Sequence, residues 1–168
     1  CAVSVAHTQM VCTSVASGVG HGLNWKVTVG DQASSASTAT TSYAGPAITS
    51  LGGLSTFATN GTDEGLVIIN GTDFGPKNGT SNPAIAVYQN SGLNSTYASG
   101  EFTARECVVS VAHTQITCKP VVGVGSGQRW KVTVGDQQST ASSDTTSYSA
   151  PAITDVSYPG SFNTNDMT

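Results

Sequence analysis

The chain writes one cysteine-bracketed phrase twice. CAVSVAHTQMVC spans Cys1 to Cys12, and CVVSVAHTQITC spans Cys107 to Cys118. A Gly-rich patch follows each copy, and then WKVTVGDQ, at Trp25–Gln32 and again at Trp130–Gln137. TTSYAGPAIT at Thr40–Thr49 returns as TTSYSAPAIT at Thr145–Thr154. The cysteine phrases lie 106 positions apart and the tryptophans 105, so the second Gly-rich patch is one residue shorter. Such a period exceeds the roughly 20–50 residues of solenoid repeats and matches one small domain per repeat.

This spacing sets the expected organisation. Residues 46–150 make one full period and are expected to be a complete domain. Residues 1–45 match only its second half, the C-terminal part of one domain, and 151–168 match only the first-strand region of the next. Joined tail to head, these two pieces would still lack the equivalents of about 64–106, so they do not make another domain. The expectation is a window on a longer tandem array.

Within the period the apolar residues alternate. Trp130, Val132 and Val134 are interleaved with Lys131 and Thr133, and Trp25, Val27 and Val29 repeat the pattern. This puts one aromatic ring and two valines on a buried face of a strand in both copies. Cys107, Val109 and Val111 alternate likewise, as do Ile116 and Cys118. Leu66–Ile69 reads as a buried strand entering a Gly-Thr-Asp turn, Ala84–Tyr88 as another, and Pro46–Ser50 as an edge strand. No stretch of useful length has a helical period, and Ser, Thr and Gly are poor helix formers. Several short strands within about 100 residues indicate an all-β antiparallel sandwich.

If Cys107 faces Cys118 across a hairpin, Val109 faces Ile116, and all four side chains share one face. The turn then falls at Ala112-His113 or one pair wider. Opposed α-carbons at a non-hydrogen-bonded position lie about 4.5 Å apart, close enough for a cross-strand disulfide. A loop this short contributes about 3 kcal/mol at most. The alternatives are two buried thiols or half of a zinc site, but ten intervening residues is not a metal-ligand spacing, and His113 sits in the turn. Disulfides Cys1–Cys12 and Cys107–Cys118 are therefore expected, and with them an oxidising compartment.

Charged residues are only 10% of the chain, the net charge is −4, and the six Lys and Arg are scattered singly. No basic stripe exists for nucleic acid. The longest aliphatic run, Leu66–Ile69, is far too short to span a bilayer, so no membrane insertion is expected in this segment.

PAIT, LVIINGTDFG, the cysteine pair with ITCKP, and GVGSGQRWKVTVGDQQS together resemble the IPT/TIG family, the immunoglobulin-like domain shared by plexins and some transcription factors. The family pattern has Pro-x-Ile, a strand ending in Gly-x-Asn/Asp-Phe-Gly, a cysteine pair, Pro, a Gly-x-Gly patch and a valine-alternating strand. The resemblance covers Pro46–Ala150, and Cys1–Gly45 repeats its second half. One departure is Asp73, where Asn is more usual. The resemblance implies an early-set immunoglobulin-like sandwich, of the kind found in tandem outside the cell in plexin-like receptors and in large surface proteins. Rel-like transcription factors use the same fold to bind DNA through basic loops, which this chain lacks.

The catalytic inventory is thin. His7 and His113 occupy the same place in each copy and read as turn residues, as do Asp31 and Asp136 in Val-Gly-Asp-Gln. No Ser/His/Asp order or paired carboxylates stand out, and GVGSG precedes a strand where a phosphate loop would open a helix. Asp63, Glu64 and Asp73 lack the spacing of a calcium loop. The chemistry that does stand out is glycosylation. Asn60, Asn70, Asn78 and Asn94 each begin an Asn-x-Ser/Thr sequon, and Pro83 spoils Asn82. Nine asparagines in a hydroxyl-rich chain would yield about two sequons by chance; four cluster between 60 and 96, and in a eukaryotic source at least two are expected to carry N-linked glycans. Ala33–Ser42 reads as the last strand of its domain, not as an O-glycosylated stalk, because it lacks prolines.

Only two residues separate Tyr148 from Pro151, so the junction between domains is short and stiff. Strands of about ten residues, roughly 33 Å long, would make the array a semi-rigid rod. The leading expectation is a non-enzymatic structural protein without cofactors: a segment of an extracellular fibre or cell-surface stalk. Its partners would be other copies of itself or neighbouring domains of the same chain, and self-association is one route to a fibre. The alternatives are the ligand-binding ectodomain of a plexin-like receptor or cell-adhesion protein, and an accessory module beside an enzyme.

Overall fold

The computed structural model describes residues 1–62, 65–77, 84–90, 100–157 and 160. Every regular element among them is a strand. The leading segment, residues 1–45, carries β1 (Ala2–Val5), β2 (Gln9–Val11), β3 (Leu23–Asn24), β4 (Thr28–Val29), β5 (Gln32–Ala33) and β6 (Thr40–Thr41). The central unit, residues 46–150, carries β7 (Ala47–Gly53), β8 (Thr56–Phe57), β9 (Val67–Thr72), β10 (Ile85–Asn90) and β11 (Phe102–Thr103). It continues with β12 (Arg105–Val111), β13 (Gln115–Lys119), β14 (Gln128–Val134), β15 (Gln137–Gln138) and β16 (Ser147–Tyr148). The longest strands have seven residues, fewer than the ten expected, so a single strand reaches only about 24 Å.

Two four-stranded antiparallel sheets face each other in the central unit. One runs β11-β10-β14-β15 and the other β12-β13-β9-β7. Alternation explains the core between them: Ala86, Tyr88, Trp130, Val132 and Val134 point in from one sheet, and Val67, Ile69, Val109, Ile116 and Cys118 from the other. A short parallel pair, β8 with β16, adds Phe57 and Tyr148. Trp130 stacks on Tyr88 with ring centroids 4.3 Å apart, and Phe57 meets Tyr88, Trp130 and Tyr148 edge-on. Burying each large side chain stabilises the unit by about 1.5–3 kcal/mol, which makes this aromatic group its main anchor. Among the described residues, every buried one lies between Pro46 and Tyr148.

The cysteine hairpin has the expected facing. Val109 opposes Ile116, and the Cys107–Cys118 disulfide joins α-carbons 4.2 Å apart. Cys1–Cys12 repeats it at 3.9 Å. The turn differs from the expectation. It is a three-residue loop, Ala112–Thr114, flanked by Val111 opposite Gln115, because His113 takes the left-handed conformation (φ 64) and shifts the register by one. Val111 consequently sits half exposed at the hairpin end. Pro46–Ser50 opens an edge strand as expected, since among the described residues β7 pairs with β9 alone. The β9 strand carries on through Gly71 and Thr72 before turning at Asp73.

The face expected on Trp25, Val27 and Val29 is not buried. No strand equivalent to β10 lies against it among the described residues. Its would-be seven-residue strand is reduced to two short pieces, β3 and β4.

The Ser/Thr-rich stretch after Gln138 does not form a regular strand. Ser139 and Ser142 exchange backbone hydrogen bonds with Val132 and Trp130, their N–H groups donating to those carbonyls at 2.8 Å. The Val132 and Trp130 amides donate instead to the serine hydroxyls, both at 3.0 Å. Each hydroxyl then donates onward, to the carbonyls of Thr140 and Asp144. A small side chain thus fills the slot opened where the facing chain carries an extra residue. In the leading segment, Ser34 and Ser37 do the same for Val27 and Trp25.

Candidate functional site: the contact of the leading segment with the central unit

Three turns of the central unit converge at one end. After β9, Asp73 adopts φ 60, Phe74 is buried and Gly75 adopts φ 82. Asp and Asn both tolerate this conformation, so Asp73 fills its position as Asn would. The β12–β13 loop is stitched to this segment: Phe74 N–H donates to His113 O at 3.2 Å, His113 N–H to Gly75 O at 2.7 Å, and Gly71 N–H to Thr114 O at 3.0 Å. The third turn is Gly135-Asp136 between β14 and β15, with φ 56 and 61, the two-residue loop that a right-twisted hairpin favours.

Residues from the leading segment occupy this end. Val19 packs onto the core, and its Cγ1 takes the space a side chain at Gly75 would need, 2.5 Å from where a Cβ would stand. Gly20 approaches equally closely: a Cβ on Gly135 would lie 2.5 Å from the Gly20 nitrogen. Glycine at 75 and 135 therefore serves two ends, a left-handed backbone and a close approach by another segment. Gln137 Nε2 donates to Tyr43 O at 3.1 Å, and the Gln137 side chain lies against Gly45. Beside this contact is a recess of about 200 Å³ lined by Val15–Gly18, Tyr43, Ala44, Asp73 and His113.

Tyrosine hydroxyls brace the loop that makes the contact. Tyr43 Oη donates to Ala16 O at 2.6 Å, and the Tyr43 N–H to Gly20 O at 2.9 Å. The central unit repeats the brace, with Tyr148 Oη donating to Val121 O at 2.7 Å and Tyr148 N–H to Gly125 O at 2.8 Å. There the ring of bonds closes, because Tyr88 Oη lies 2.8 Å from Tyr148 Oη and accepts from Val121 N–H at 2.9 Å. Burial, and then the bond with Tyr88, push the Tyr148 phenol above its ordinary range. Gly18 and Gly123 lie directly under the two tyrosine rings, which gives the Gly-rich patches a packing role. From the sequence, Tyr148 reads only as the end of a last strand, and Tyr43 follows the strand expected at Ala33–Ser42. The signal that could have marked them was the repeated Ser-Tyr at a fixed distance after each Gly-x-Gly.

The remaining candidate residues lie apart from this contact. Asn60 is exposed in a turn, where Thr62 N–H and Thr62 Oγ1 both bond its Oδ1, at 3.2 and 2.7 Å. Neither bond uses Nδ2, the atom that takes a sugar. Asn70 is half-buried on β9, its Nδ2 donating to Ser50 Oγ at 3.2 Å and its Oδ1 accepting from Gln115 Nε2 at 3.2 Å. Asn78, Asn94, Asp63 and Glu64 lie outside the described residues. Lys119 Nζ pairs with Glu106 at 2.8 Å and holds that carboxyl below its ordinary value. Among the described residues no group of three or more His, Cys, Asp and Glu is placed to hold a metal, and no helix is long and apolar enough to cross a membrane. No protein-family model, curated protein or solved structure matches the chain.

Proposed function

We propose that the chain is a non-enzymatic structural segment of an extracellular fibre or cell-surface stalk, built from tandem immunoglobulin-like domains of the IPT/TIG type. Residues 46–150 are the complete domain in this reading, 1–45 the end of one before it and 151–168 the start of one after it. The observation that carries it is the contact between repeats, in which Val19, Gly20 and Tyr43 seat against Gly75, Gly135 and Gln137. A flexible string of binding modules has no need to fit its links so closely. Two disulfides are compatible with a secreted protein.

N-linked glycosylation is part of this reading, with Asn60 the favoured position among those described. A glycan on Asn70 would displace its bond to Ser50 on the neighbouring strand. Negative-stain microscopy of the secreted protein tests the reading: uniform rods are expected, and isolated compact globules overturn it. A receptor or adhesin would instead show a domain whose loops depart from those of its neighbours and bind a partner.

A further inference from the structure

The loop that Tyr43 braces has a twin. Residues 121–127 repeat residues 16–22 in conformation as well as in composition: Gly125 adopts φ 105 where Gly20 adopts 114, and Gly127 and Gly22 both adopt φ 65. The same tyrosine bonds hold both loops. Val124 is thereby presented as Val19 is. Val19 is packed against the core of the central unit, whereas Val124 is 60% exposed and Gly125 beside it is exposed too.

The leading segment carries copies of two of the three turns that receive Val19 and Gly20. The Gly30-Asp31 turn, with φ 53 and 62, copies Gly135-Asp136, and His7 at φ 61 copies His113. Gly135 is buried against Gly20, while a Cβ on Gly30 would meet nothing within 4 Å. The recess of about 550 Å³ lined by Val3, Ala6, His7, Gln9, Met10 and Val29 is uncovered core face, since the counterparts of Val3, Met10 and Val29 are the buried Val109, Ile116 and Val134. One joint is therefore closed in this molecule, and one projection, Val124 with Gly125, stands open.

We infer that Val124 and Gly125 are the projecting half of a second, identical joint. The socket they fit is that of a following repeat of this same chain, formed by its own Gly-Thr-Asp-Phe-Gly, Ala-His-Thr and Val-Gly-Asp-Gln turns. Continuity with the joint already closed argues for this occupant. So does the connection, since Tyr148-Ser-Ala-Pro151-Ala-Ile restarts Tyr43-Ala-Gly-Pro46-Ala-Ile with the same spacing. An identical joint at every step relates successive repeats by one fixed rotation and advance, which makes the array an open heterologous rod. The inference rests on the tandem-rod reading and adds the device that sets its geometry.

The test uses the full chain extended by one more copy of residues 46–150 after Ala150. In the existing joint, Val19 Cβ lies 3.9 Å from a Cβ built on Gly75, within the range that a disulfide bridges. Val19→Cys with Gly75→Cys in the central unit is the reference pair. Val124→Cys with the Gly75→Cys equivalent in the added copy is the test pair, and peptide mass mapping reads the bridges. Near-complete bridging of both pairs, against background for each single substitution, is expected. Bridging of the reference pair alone overturns the inference. Val124→Asp in the same extended chain keeps the question open to disproof if cysteine at the left-handed position 75 prevents folding. Small-angle scattering should change from one rigid shape to a flexible ensemble, and unchanged scattering overturns the joint. If the unsubstituted extended chain already scatters as a flexible string, the rod reading falls as well. If it is rigid and stays so with Val124→Asp, only the Val124 joint falls.

Discussion

Residues 1–45 and 107–150 are nearly the same text folded in two different settings. Trp130 is 0% exposed and Trp25 is 39% exposed; Val134 is 3% exposed and Val29 is 62%. Yet the two regions agree in every short-range feature. Both have the disulfide, the left-handed histidine, the Gly-Asp turn, the serine-bridged amides and the tyrosine brace. They differ in strand length, because a long strand needs a neighbour and β14 has β10. Turns, caps and cross-links belong to the local sequence. Sheet and core belong to the partner that covers them.

The largest break in this comparison should come from the two tryptophans. Trp130→Ala should destabilise by about 3–5 kcal/mol, read from denaturant unfolding, because it empties the centre of the aromatic group. Trp25→Ala should shift the same unfolding midpoint far less, since its ring is only part covered.

The disulfides come next. Replacing Cys107 and Cys118 together by alanine should cost about 2–3 kcal/mol, and the same change at Cys1 and Cys12 should leave the unfolding midpoint of the core nearly unmoved.

Tyr148→Phe is expected to lose about 1–2 kcal/mol by opening the ring of hydrogen bonds with Tyr88 and Val121, and Tyr43→Phe less. The pH dependence follows from the sign of the shift. The folded phenol of Tyr148 titrates above its unfolded value of about 10, so its contribution is complete below about pH 10 and is lost as the pH rises further. Unfolding followed between neutral and alkaline pH should show this fall, and Tyr148→Phe should reduce it.

The smallest effect sharpens the comparison. Gln128 is fully buried with its Nε2 donating to Val124 O and its Oε1 unpaired, and Leu23 stands at the equivalent place. Gln128→Leu removes a buried acceptor without a partner and should change stability by no more than about 1 kcal/mol in either direction. A loss of several kcal/mol in a thermal scan would mean the Gln128–Val124 bond matters more than its 3.3 Å length suggests.

Much of the fold was legible because its signals are local. Facing cysteines fixed which residues of the hairpin share a side, alternation marked Trp130, Val132 and Val134 as core, and Gly-Asp marked a two-residue turn. The three-residue loop at Ala112–Thr114 was missed because a left-handed histidine leaves no trace in residue type. The buried face assigned to Trp25 failed because alternation reports what a face can bury, not whether anything covers it. The contact of the leading segment with the central unit was illegible for a related reason. Gly75 and Gly135 look like ordinary turn glycines until a segment over fifty residues away in sequence is seen resting on them.

The serine bridging along β14 has a consequence for edge-to-edge pairing. A step of two along β14, from Val132 to Trp130, is matched by a step of three on the facing chain, from Ser139 to Ser142, and the next step of two, to Gln128, by a step of four, to Thr146. The rim of the sheet is thus uneven, and an incoming extended peptide cannot keep step along it. Regular rims are where β proteins pair edge to edge and seed amyloid, and the stepped rim held by these hydroxyl groups opposes such pairing.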